Sequence, residues 1–172
     1  MRRTIRLLPT VFVVLTACSG TVVPSSSPVA SPEHVRFRAL VERAGPSCVE
    51  APEWALATDE AEWIDVFDRE TDCRPDADVM LPEVDFGRQA GLAVWWASSS
   101  CAEAGVRTES VERAGAIVTV RAVTIPPPRG CRVGHATLES MLALDRWEGF
   151  AGVEQIRLVL DGRPVRVSGT EE

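Results

Sequence analysis

Residues 91–123 read GLAVWWASSSCAEAGVRTESVERAGAIVTVRAV. Three apolar-rich segments, Gly91 to Ala97, Gly105 to Val111 and Ala116 to Val123, are separated by polar connectors, the second being Arg113-Ala114-Gly115. Their length, their Val, Ile, Thr and Trp content and the absence of internal Pro predict strands, and the short connectors predict a three-stranded antiparallel meander. Trp95 and Trp96 are adjacent, so in a strand they point to opposite faces. At most one enters a given core. The other is either covered by a second layer, with a helix or a C-terminal hairpin as the favoured cover, or exposed as a contact for a protein partner or a sugar.

Outward from this stretch, Glu53 to Ala57 predicts a short strand and Asp59 to Asp72 a helix. Thr58 or Asp59 is placed to cap that helix, Glu60 and Glu62 favour its N-terminal dipole, and Trp63, Ile64 and Phe67 line one face. Val35 to Val41 alternates as a strand leading to a Gly45-Pro46-Ser47 turn, and Ala136 to Leu144 is a further strand. Val153 to Leu160, Asp161-Gly162 and Val165 to Val167 predict a closing hairpin, because Asp-Gly suits the positive φ angles of a tight turn. Seven or eight strands with one good helix and no regular strand and helix alternation give an α+β class. The expected architecture is mainly antiparallel sheet, a sandwich or open barrel, with one packed helix.

The 172 residues are 45% apolar and 25% charged, which excludes disordered and polytopic membrane classes and leaves room for one sizeable core. The N-terminus adds an address. Arg2, Arg3 and Arg6 precede an apolar run, Leu7 to Ala17, too short to span a bilayer, so residues 1–17 read as a secretory signal. It ends on Leu15-Thr16-Ala17-Cys18, which resembles a bacterial lipobox with Cys18 as the lipidated residue. Residues 18–33, rich in Ser, Val and Pro, then serve as a tether, residues 34–168 as a single domain and residues 169–172 as a tail. All 18 basic residues are Arg. Loss of the signal removes Arg2, Arg3 and Arg6 and leaves 15 Arg against 25 acidic residues, a net charge of −10. Such a chain is a poor nucleic-acid binder, and it is held at its membrane by acyl chains and not by electrostatics. That address is the outer membrane in a two-membrane bacterium.

Four cysteines remain after Cys18, an even number for an oxidising compartment. A helix folding back on the strand before it brings Cys48 and Cys73 to one end of both, and the far ends of the first and third meander strands bring Cys101 towards Cys131. Two disulfides, Cys48–Cys73 and Cys101–Cys131, are therefore expected. No cysteine or histidine pair has zinc-ligand spacing, and His34 and His135 are isolated, so no metal and no cofactor is expected. No nucleophile-elbow, HExxH or phosphate-loop pattern occurs. Ser98 to Ser100 read as a solvated loop and Asp65, Asp68 and Asp72 as a solvated helix face. No catalytic residue is assigned.

The order of strand, helix and meander, with Glu53-Trp54-Ala55-Leu56-Ala57-Thr58, Glu62-Trp63 and above all Leu81-Pro82-Glu83-Val84-Asp85-Phe86 before the strand at Gly91, resembles the PrcB-like family of secreted and lipid-anchored bacterial proteins. The likeness covers residues 35–145. It implies a non-catalytic accessory domain that binds or stabilises an envelope protein, a protease in the protein that names the family. A small envelope hydrolase and a carbohydrate-binding lipoprotein using an exposed Trp are the alternatives from other classes.

Overall fold

The computed structural model describes residues 31–72, 80–101, 104–127, 133–147 and 150–167. Cys18, Cys73 and Cys131, the signal and most of the tether lie outside them. Among the described residues, nine strands and one α-helix follow in chain order: β1 (Glu33–His34), β2 (Phe37–Gly45), β3 (Glu53–Ala57), α1 (Glu60–Thr71), β4 (Gln89–Cys101), β5 (Gly105–Ala114), β6 (Ile117–Ile125), β7 (Val133–Asp145), β8 (Gln155–Leu160) and β9 (Arg163–Val165). They form a five-stranded sheet in the order β1-β5-β6-β8-β9 and a four-stranded sheet in the order β2-β7-β4-β3. All pairings are antiparallel except β6 with β8. The α+β sandwich with one packed helix is as expected.

The meander is not. β5 and β6 pair as a hairpin in the five-stranded sheet, whereas β4 lies in the other sheet between β7 and β3. The reason is the two-sided apolarity of β4. Leu92, Val94 and Trp96 point into the space between the sheets, while Ala93 and Trp95 point to the opposite face, under α1. A strand with no polar face needs cover on both sides, and only the middle layer provides it. β5 alternates, with Val106 and Thr108 buried and Arg107 and Glu109 exposed, which suits an outer layer with one wet face. Trp95 and Trp96 are both fully buried, so neither is a contact for a partner or a sugar.

Between the sheets, the apolar core is tied by a short polar chain. Trp96 Nε1 donates to Ser140 Oγ (2.9 Å), Thr108 Oγ1 donates to the same oxygen (3.3 Å), and the Thr108 backbone N–H, beside a bulge in β5, donates to Glu42 Oε1 (2.5 Å). These bonds satisfy groups that burial would otherwise leave costly.

Asp59 caps α1, accepting from the Glu62 backbone N–H at 2.9 Å, and Glu62 returns to the Thr58 N–H (2.6 Å) and hydroxyl (2.8 Å). The buried face of α1 carries Trp63, Val66 and Glu70, with Phe67 half-buried, whereas Ile64, expected on that face, is 40% exposed. The C-terminal hairpin turns at Asp161 (φ 50°) and Gly162 (φ 74°), as the Asp-Gly pair requires. Cys48 and Cys101 are each disulfide-bonded. The Cys48 sulfur lies 3.1 Å from the carbonyl oxygen of Glu70, three residues before Cys73 in the chain. Cys101 is paired in register with Val133, two residues after Cys131.

Candidate functional site

The register lays one row of residues across all four strands of the inner sheet. Arg43 on β2 opposes Glu139 on β7, Glu139 opposes Trp95 on β4, and Trp95 opposes Glu53 on β3. Residues directly opposite share a face, and Trp95 fixes that face as the one under α1. The last turns of α1 complete the row from above. Arg69 pairs with Glu53 and sets its guanidinium 5.9 Å from the centre of the Trp95 ring. Glu70 points down into the layer. Its Oε2 accepts from Trp95 Nε1 (2.9 Å) and from Ser47 Oγ (2.6 Å), and its Oε1 lies 3.7 Å from Arg43 Nη2.

Glu70 and Glu139 are both 0% exposed. Arg43, a third exposed, lies between them and donates from Nε to Glu139 Oε2 at 3.3 Å. Among the described residues, Glu139 Oε1 accepts no hydrogen bond. Burial, and then the charge of Glu70, push the Glu139 carboxyl above the ordinary range of a glutamate, and Arg43 pulls it back only in part. Sealed beneath the helix, the two carboxyls meet no solute.

Beside the C-terminal end of α1 a cleft of about 450 Å³ opens to solvent, lined by Cys48, Val49, Glu50, Glu53, Arg69 and Asp72. Around the helix, Glu60, Asp65 and Asp68 are exposed and, among the described residues, have no cationic partner. They surround Ile64. The segment after the helix returns to it, because Trp63 Nε1 donates to the Pro82 carbonyl at 2.9 Å. Within two residues of that bond lie Met80, 87% exposed, and Leu81, 38% exposed.

Asp65 and Asp68 on α1 and Asp72 at its C-cap are exposed, as a solvated face requires. The register sets the His135 backbone beside Ser99 and Cys101, since Ala136 opposes Ser99 and Val133 opposes Cys101. The Ser99 hydroxyl is occupied locally, accepting from the Cys101 N–H and approaching its carbonyl, both at 3.1 Å. No group of three or more metal-ligating side chains occurs among the described residues. The Arg43–Glu70–Glu139 cluster is what the sequence reading missed. Its signals were a glutamate on the apolar face of the helix and another inside a two-sided apolar strand. No family model, no curated protein and no solved structure matches this chain.

Proposed function

We propose that this chain is the extracytoplasmic domain of a lipid-anchored envelope protein, tethered through Cys18, and that it acts by binding another envelope protein without chemistry of its own. A protease is the partner class that the PrcB-like resemblance implies. The observation that carries the binding role is the outer face of α1. It exposes Ile64 among Glu60, Asp65 and Asp68, with Met80 and Leu81 on the adjoining segment. Asp65 and Asp68 are one helical turn apart, and like charges so placed cost the helix a few tenths of a kcal/mol. A cationic partner segment with an apolar side chain for Ile64 removes that repulsion and covers the apolar surface. The buried Trp95 and Trp96 give a sugar platform no support.

The test places a photo-crosslinking residue at Ile64 or, as a control, at Arg157 on the exposed face of β8, in cells expressing the full chain. A discrete protein adduct is expected from position 64 and not from position 157. It should vanish when Glu60→Gln, Asp65→Asn and Asp68→Asn are combined, with the far-UV spectrum unchanged. An adduct of equal yield at both positions, or none at 64, overturns the docking face. Hydrolysis of a peptide, ester or glycan by the purified chain, lost on His135→Ala, overturns the non-catalytic role.

A further inference from the structure

We propose that the Cys48 sulfur is a site of thiol–disulfide exchange, entered from the cleft beside the end of α1 by a dithiol with cationic surroundings, and that opening this bond frees the last turn of the helix. The inference stands whether or not the outer face of α1 docks a partner. Among the described residues, Cys48 and Cys101 are disulfide-bonded, and their access to solvent differs. Cys101 is 6% exposed, whereas Cys48 is partly exposed and lines the open cleft of about 450 Å³. Exchange requires a thiolate to reach a sulfur, so access selects Cys48. The cleft also selects the reagent. Glu50, Glu53 and Asp72 line it against Arg69 alone, a net charge of −2, and Arg69 is already paired with Glu53. That field repels an anionic thiol and draws one flanked by Lys or Arg.

The bond lies where its loss reaches the helix. The Cys48 sulfur is 3.1 Å from the carbonyl oxygen of Glu70, Ser47 Oγ donates to Glu70 Oε2 at 2.6 Å, and Val49 packs beneath α1 with Trp63 and Val66. Residues 47–49 therefore strap the end of α1, and Cys73, the partner expected from the sequence, follows the helix by two residues. In the exchange a thiolate of the dithiol bonds to Cys48 Sγ, the bond to the partner cysteine breaks, and that sulfur leaves as a thiolate and takes a proton. The second thiol of the reagent then displaces Cys48, so the protein ends with two thiols and the dithiol is oxidised to a disulfide.

The experiment is partial reduction of the full chain, quenched with iodoacetamide and read by peptide mass mapping. Label should reach Cys48 before Cys101. At equal thiolate concentration and low salt, and after correction for their rates on a small neutral disulfide, cysteamine should open the Cys48 bond about tenfold faster than mercaptoethanesulfonate. High salt, or Glu50→Gln combined with Asp72→Asn, should remove most of that preference. With Cys48 labelled and the Cys101 bond intact, hydrogen–deuterium exchange should quicken in the last turn of α1 and not in its first turn or in β5 and β6. Label at Cys101 first or at both together, no preference for the cationic thiol, or a last turn whose exchange ignores reduction overturns the proposal.

Discussion

Gly91→Ala adds one methyl group and should cost the fold about 1 to 3 kcal/mol, the range for overpacking a filled core. A β-carbon at Gly91 would lie 2.5 Å from Cε3 of Trp63 and 2.9 Å from its Cδ2 and Cζ3. Carbon atoms rest at about 3.5 Å or more, so the indole or the strand must move by about 1 Å. Neither is free to do so. Gly91 opposes Ala57 on β3 and Ala143 on β7, both fully buried, and these small residues form the floor on which the ring lies. The ring itself is 1% exposed and held through Nε1 to the Pro82 carbonyl. Urea unfolding followed by far-UV circular dichroism measures the cost, and a double-mutant cycle assigns it. Trp63→Ala alone should cost about 3 to 5 kcal/mol, and Gly91→Ala in that background almost nothing. If Gly91→Ala is silent in the native chain, or costs the same with and without Trp63, the close approach of helix and strand is not what requires glycine at this position.

Three further outcomes are expected. Asp59→Ala removes the acceptor for the Glu62 N–H and should destabilise by about 0.5 to 2 kcal/mol, with exchange faster in the first turn of α1 than elsewhere. Non-reduced peptide mapping should recover Cys48 joined to Cys73 and Cys101 joined to Cys131, and losing either bond should cost about 2 to 4 kcal/mol; crossed pairs would contradict the placement of Cys48 beside the end of α1 and of Cys101 opposite Val133. Cys18→Ser should release the protein from the membrane fraction and end incorporation of labelled fatty acid.

Local structure was legible wherever one residue type had one physical use. Asp59 before an amphipathic run fixed the start of α1, and Asp161-Gly162 fixed the last turn. The strand at Glu53 to Ala57 was bounded by Pro52 and the cap. Sheet membership was misread because consecutive strands were taken as neighbours. The corrective signal lay in β4 itself, where five apolar residues from Leu92 to Trp96 leave no face for water. β5 and β6 alternate instead, while Ser98 to Ser100, read as a solvated loop, continue β4 as far as Cys101.

The polar row was hidden for a different reason. Glu70 read alone is one of several acids on an exposed helix, and Glu139 read alone is a glutamate in a strand of unknown depth. Helical spacing puts Glu70 on the side of Trp63, Val66 and Phe67. The period of a strand puts Glu139 on the side of Met141 and Ala143, which are fully buried or nearly so. Each position therefore predicts burial, and burial of a lone carboxylate costs more than a fold of marginal stability can absorb. The contradiction resolves only when register sets Arg43 opposite Glu139 and the helix lowers Glu70 beside them. Each acid then has partners that account for its burial, Glu70 accepting from Trp95 Nε1 and Ser47 Oγ and Glu139 from Arg43 Nε, so the polar layer exists only once register and helix packing have assembled it.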